Sequence, residues 1–272
     1  MRTKLTFIGG GNMASALIGG MLRQGASAAN ISVVEPFEAA RARLTNEFGV
    51  TAVAAPGAEV AASDLIVMAV KPQNMREAAA AAAPYLNQQL VLSIAAGTRI
   101  TDLSRWLGGH TAIVRTMPNT PALIGMGITG MFAASGVSAA QRAAAESVMR
   151  AVGDLVWVEN ESLIDPVTAI SGSGPAYVFY FLEALAEAGA KLGLTPDDAK
   201  RLALATFAGA AKLAADSPDD FATLRTKVTS KGGTTAAALA VMGERKVKDA
   251  IIAAAEAASA RGREMGVELG RA

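Results

Sequence analysis

A handful of short stretches in this chain carry residue types at spacings that could do chemistry. Gly9-Gly10-Gly11-Asn12-Met13-Ala14 fits G-x-G-x-x-A, directly after the apolar run Leu5–Ile8 and at the start of a helical pattern. In that setting the first glycine permits a tight turn, the second lets the backbone approach a pyrophosphate, and the small third residue lets helix pack on strand. The N–H groups at the helix start then bind the anion. Glu35 ends the second apolar run, 24 residues after Gly11. A carboxylate there accepts hydrogen bonds from the adenosine ribose hydroxyls and repels a 2′-phosphate, so local chemistry alone points to NAD(H). The plain alternative is a solvent-exposed acid before the turn residue Pro36. Arg41 and Arg43 lie just beyond, and the sequence does not show whether either folds back over the ribose.

Two further stretches, Ala69-Val70-Lys71-Pro72-Gln73 and Met117-Pro118-Asn119-Thr120-Pro121, end apolar runs. Both therefore fall at carboxyl ends of strands, where ligands bind in open α/β sheets. Ser171-Gly172-Ser173-Gly174-Pro175-Ala176-Tyr177 enters a long helical pattern, and Thr229-Ser230-Lys231-Gly232-Gly233-Thr234-Thr235 opens another. The last of these offers consecutive N–H groups at a helix start, an anion site suited to a small carboxylate. Ser230 and Thr235 read either as hydroxyls facing a ligand or as helix caps. Lys71 and Lys231 each have a surface reading as well as a site reading. Tyr177 and Tyr180 read as core.

Composition narrows the field. There is no cysteine and one histidine, His110, which excludes disulfides, a thiol nucleophile and a Cys-based zinc site. His110 follows two glycines and reads as a loop residue. No metal site is expected. With 25 Lys+Arg against 24 Asp+Glu, nothing marks a nucleic-acid partner. The basic and then apolar start, with Arg2, Lys4 and Ala14-Ser15-Ala16, imitates a secretory leader. The Gly9–Asn12 break fits a phosphate loop better. The uncharged span 116–141 is interrupted by Pro118, Asn119, Pro121 and four glycines, so it reads as buried strands and loops and not as a membrane span. A cytoplasmic protein is the expectation.

The elements that must position these residues alternate in the first half. Strands are expected at Leu5–Ile8, Ile31–Glu35, Thr51–Val53, Asp64–Val70, 90–94, 111–116 and Leu155–Val158, with helices at about 12–24, 38–47, 74–83, 101–107 and 139–151. Near-solid apolar strands such as Asp64–Val70 (DLIVMAV) belong to a sheet covered on both faces. The fold class is α/β: a Rossmann-type doubly wound, mostly parallel sheet over residues 1–160, followed by an all-helical domain over 161–272. Helices are expected there at 175–192, 196–215, 219–227, 235–243 and 246–268. The first is apolar nearly all round, which calls for burial on more than one side. In so small a domain a second copy of the chain is the simplest cover, so a homodimer is expected.

GGGNMA, AVKPQ, MPNTP, SGSGPAY and TSKGGTT, in this order and spacing, resemble the pyrroline-5-carboxylate reductase family over essentially the whole chain. The resemblance implies reduction of the cyclic imine 1-pyrroline-5-carboxylate to L-proline, the last step of proline biosynthesis, by hydride from NADPH or NADH. NADP(H) is the implied cofactor, with NAD(H) kept open by Glu35. It also implies a helical domain that dimerises, and dimers often assembled into larger rings. By the same resemblance Gly9, Gly11, Asn12, Met13 and Ala14 hold the pyrophosphate. Ala69, Val70, Lys71 and Pro72 line the nicotinamide side, with Ala95, Ala96 and Gly97 as a second cofactor segment. Gly233, Thr234 and Thr235 bind the substrate carboxylate, the Thr235 hydroxyl, beside Ser230, lies near the imine nitrogen, and Glu161 is an acid near the substrate.

The chain departs from the family pattern in three places. Lys231 stands where members often have Pro, Lys227 where some have Asn, and Glu35 where many NADPH-preferring relatives have Ser or Thr. A β-hydroxyacid dehydrogenase shares the two-domain plan but uses a Lys on the first long helix. After Pro175 this chain has none until Lys191. A non-catalytic dinucleotide-binding scaffold would need no intact Gly232-Gly233-Thr234-Thr235.

Overall fold

A computed structural model describes residues 3–271. Arg2, part of the leader-like start, lies outside the described residues. The chain forms two compact units, one holding the residues up to Ser173 together with those from Ala257 onward, the other Gly174–Glu256. The helical unit thus begins later than the change of composition near residue 160. The end of the chain belongs with the sheet.

In the first unit β1 (Leu5–Ile8), α1 (Asn12–Arg23), β2 (Ile31–Val34), α2 (Glu38–Phe48), β3 (Thr51–Val53), α3 (Ala58–Ala61), β4 (Leu65–Met68), α4 (Met75–Ala82), β5 (Leu90–Ser93), α5 (Ile100–Trp106) and β6 (Ile113–Met117) alternate as the pattern requires. Two more strands, β7 (Gly127–Ala133) and β8 (Gly153–Trp157), flank α6 (Ala139–Met149), and the short α7 (Ile164–Val167) follows. The sheet order is β3-β2-β1-β4-β5-β6-β7-β8. The first six strands are parallel, β7 runs antiparallel to β6, and β8 parallel to β7. Strands β1, β4 and β5 are wholly buried. Successive residues supply opposite faces: Leu5, Phe7, Val67 and Leu92 join one core with Leu17 and Ile18 of α1. Ile8, Ile66, Met68 and Val91 join the other with Met75 and Leu103. That two-sided cover is why these strands read as unbroken apolar runs.

The second unit is helical: α8 (Gly174–Lys191), α9 (Pro196–Asp216), α10 (Phe221–Lys227), α11 (Thr234–Glu244) and the start of α12 (Val247–Arg271). Helix α9 begins as its residues dictate, with Thr195 Oγ1 accepting from Asp198 N at 3.1 Å and Pro196 in the first turn. Phe181 stacks on Phe207 with centroids 6.3 Å apart, joining α8 to α9. Tyr180, read as core, is instead 72% exposed, and Val178, Phe179 and Leu185 of the same helix are exposed as well. A single copy of the chain leaves the apolar circumference of α8 uncovered. No helix among the described residues is long and apolar enough to cross a membrane.

Candidate active site

Three loops meet at the carboxyl ends of the adjacent strands β1, β4 and β5. Gly9 has φ 101°, and a Cβ there would lie 2.8 Å from Ala69 O and 2.9 Å from Val70 Cγ1. The phosphate loop therefore seats directly on the Ala69–Pro72 segment, and only glycine fits. Ala69 N donates to Ile8 O at 2.8 Å, and Ile94 N to Met68 O at 3.2 Å. This ladder carries Ala95, Ala96 and Gly97 alongside. Lys71 is exposed, ahead of the single turn Pro72–Asn74.

Gly11 is the N-cap of α1 and no side chain bonds to the free N–H groups of the first turn. A Cβ on Gly11 would meet nothing within 4 Å. Asn12 is exposed, Met13 half-buried and Ala14 buried against the sheet. The result is an open, uncapped, positively polarised helix end, which fits a pyrophosphate.

Glu35 is buried and turned toward the chain. Oε2 accepts from Gly10 N at 3.0 Å and Oε1 from Phe37 N at 3.1 Å. Both arginines fold back. Arg41 Nη1 donates to Glu35 O at 2.9 Å and Pro36 O at 2.7 Å. Arg43 Nη2 donates to Gly10 O at 3.1 Å, and Nη1 reaches Ser15 Oγ at 3.3 Å.

At the end of β6 the Met117–Pro121 stretch does local structural work. Asn119 Oδ1 accepts from Ile128 N at 3.0 Å and so turns the chain into β7. In the middle of β6, Arg115 is nearly fully buried. Its Nη1 donates to Glu161 Oε1 at 3.0 Å, and Nη2 lies 3.6 Å from Asp165 Oδ1. The same Glu161 oxygen accepts from Ile100 N at 2.8 Å. Sequence reasoning named Glu161 but missed Arg115 and Asp165. The signal was present: a lone charge inside Ile113–Met117 has to find a buried partner. Ser171, of the glycine-rich stretch, spends its hydroxyl on Val167 O at 3.0 Å inside a wide helical turn. His110 Nε2 donates to Gln89 O at 2.8 Å, away from these loops. Among the described residues no group of side chains could hold a metal ion.

In the second unit, Gly233 is the N-cap of α11, and no side chain caps the helix. Neither Ser230 nor Thr235 caps the helix. Gly233 holds the cap position, with Gly233 N donating to Ser230 O at 3.1 Å, and Thr235 is the second helical residue. Gly232, at φ 72°, makes the turn that a side chain would strain. Thr234 and Lys231 are exposed and Thr235 is half-buried. Lys227 pairs with Asp219 Oδ2.

Comparison with known proteins covers nearly the whole chain. The family described as "Pyrroline-5-carboxylate reductase dimerisation" matches residues 161–265, and "NADP oxidoreductase coenzyme F420-dependent" matches residues 4–97. A pyrroline-5-carboxylate reductase of Pseudomonas aeruginosa is 44% identical, with 98% of each chain covered. The solved structure of a pyrroline-5-carboxylate reductase from Coxiella burnetii superposes with a TM-score of 0.92 at 37% identity, covering 97% of this chain and 99% of that one. That of a Plasmodium falciparum pyrroline carboxylate reductase with NADP bound gives 0.86 at 30% identity, covering 97% and 98%. The chain belongs to the pyrroline-5-carboxylate reductase family of nicotinamide-dependent oxidoreductases.

Proposed function

We propose that the chain reduces 1-pyrroline-5-carboxylate to L-proline with the residues described above. The observation that carries the reading is a pair of helix starts, α1 at Gly11 and α11 at Gly233, each capped by glycine and free of any side-chain cap. One suits the cofactor pyrophosphate and the other a small carboxylate. Gly9, Gly11, Asn12, Met13 and Ala14 hold the pyrophosphate. Ala69, Val70, Lys71 and Pro72, with Ala95, Ala96 and Gly97, line the nicotinamide. Gly233, Thr234 and Thr235 take the substrate carboxylate.

The bound nicotinamide supplies the hydride. The protein's part is to orient the acceptor carbon. A protonated imine is already activated, so neither a metal nor a strong acid is needed. The Thr235 hydroxyl oxygen accepts a hydrogen bond from the N–H of the protonated ring nitrogen, with Ser230 beside it in the same loop. Thr235→Ala should lower kcat roughly 10- to 100-fold, the worth of one hydrogen bond to a charged group. Cofactor affinity should not change. Unaltered turnover would remove Thr235 from the reaction.

NADPH is the cofactor this reading prefers. Both Glu35 oxygens already accept backbone N–H groups, while the Arg41 and Arg43 guanidinium groups lie beside the loop where a 2′-phosphate belongs. Arg43→Ala should raise the KM for NADPH about tenfold, some 1.4 kcal/mol, and leave that for NADH in place. Equal effects on both cofactors would place Arg43 off the 2′-phosphate.

The uncovered face of α8 fits a second copy of the chain, and dimers assembled into larger rings extend the same reading. Sedimentation as a stable folded monomer would contradict it. The cytoplasm is the compartment assigned, and recovery of the chain with membranes on cell fractionation would count against that.

A further inference from the structure

The loop Ala95–Arg99 joins β5 to α5, and separate elements pin it at both ends and from behind. At the near end Ile94 N bonds to β4. At the far end Ile100 N, the first N–H of α5, donates to Glu161 Oε1, the oxygen that also accepts from Arg115. Behind the loop runs the end of α12, where Gly262, Gly266 and Gly270 recur every fourth residue. A Cβ on Gly262 would lie 3.7 Å from Asp165, one on Gly266 2.8 Å from Arg99 Nε, and one on Gly270 would collide with Asp102. Arg99 Nη2 donates to Arg263 O at 3.2 Å, and Arg105 Nη2 to Gly270 O at 2.8 Å. One seam of α12 thus braces α7, the loop and α5 together.

We propose that Glu161 is a positioning residue for the cofactor, holding the Ala95–Arg99 loop from Arg115, and is not a contact for the substrate. This rests on the reading that Ala95, Ala96 and Gly97 line the nicotinamide. Glu161 Oε1 is spent on two donors inside the first unit. Its carboxylate stands at the positive end of α5, which it stabilises. Arg115, anchored in β6 and facing Asp165 on its other nitrogen, fixes where that carboxylate sits. Removing the acceptor orphans the Ile100 N–H and frees the far end of the loop.

The test is NADPH affinity of the full-length protein without substrate, read by fluorescence titration, beside steady-state kinetics. Glu161→Ala should weaken NADPH about tenfold while the KM for 1-pyrroline-5-carboxylate stays within about twofold. Glu161→Gln keeps an oxygen able to accept from both donors and should restore most of the affinity. Ile100→Pro removes the donor N–H, at a first helical position that tolerates proline, together with a half-buried side chain packed on the second core. It should weaken NADPH as Glu161→Ala does, while Ile100→Ala, which loses the side chain and keeps the N–H, should not. A raised KM for the imine with unchanged NADPH affinity would overturn the proposal and return Glu161 to the substrate. Ala96→Asp separates the two ways of failing. If it weakens NADPH and the Glu161→Ala and Ile100→Pro variants do not, positioning alone is wrong. If it has no effect, the loop does not meet the cofactor and the proposal falls with that reading.

Discussion

Gly11→Val should fold like the unaltered chain and lose about a hundredfold in NADPH affinity. The first half of that expectation follows from space and backbone. A Cβ at Gly11 meets nothing within 4 Å, and its φ of −71° and ψ of −174° suit a β-branched residue. The second half follows from what the space is for. Gly11 caps α1, and the N–H groups of the first turn have no side-chain partner. A valine side chain there stands between those donors and the pyrophosphate. Losing one or two charge-assisted hydrogen bonds costs about 3 kcal/mol, which is a hundredfold. Gly9 makes the contrast, because a Cβ there runs into Ala69 O and Gly9→Val should lower the melting temperature as well. Melting and NADPH titration of both variants separate the two roles. An unchanged affinity for Gly11→Val would mean the phosphate groups lie elsewhere.

Arg115→Met is the second large effect, on stability first. The guanidinium is 4% exposed and serves two carboxylates, Glu161 and Asp165. Methionine fills the space but leaves both acids without their cation. Breaking a buried pair by removing one partner costs about 3–5 kcal/mol. In a chain of this size that lowers the melting temperature by on the order of 10 °C. Adding Glu161→Gln and Asp165→Asn to Arg115→Met should recover much of the loss, because no unpaired charge remains. A melting temperature within about 2 °C of the parent for Arg115→Met alone would show that solvent already satisfies the acids.

The sheet was legible because its strands are apolar on both faces. The runs Leu5–Ile8 and Thr51–Val53 are observed as read. Strand β7 was not singled out, since Gly127 and Gly130 interrupt its pattern. The structure gives the reason. A Cβ on Gly130 would collide with Val167, and Gly127 pairs with Gly153 where a side chain on the latter has no room. The late start of the helical unit has a similar cause. Residues 161–173 change in composition, yet the Arg115 cluster ties Glu161 and Asp165 to the sheet.

In the candidate site, positions along the chain were legible where side-chain directions were not. Glu35 directly follows β2, and its two oxygens turn to the backbone N–H groups of Gly10 and Phe37. Of the two readings open to Ser230, the cap is excluded, because Gly233 holds that place. The pairing of Arg115 with acids 46 and 50 residues away has no local pattern at all. It depends on how β6 and α7 meet.

The most direct test of the central claim is loss of nicotinamide absorbance with 1-pyrroline-5-carboxylate, run in parallel with NADPH and NADH. Substrate-dependent oxidation, faster with NADPH, with proline as product, is the predicted result. Protein that binds NADPH yet oxidises neither cofactor in the presence of the imine would contradict the account.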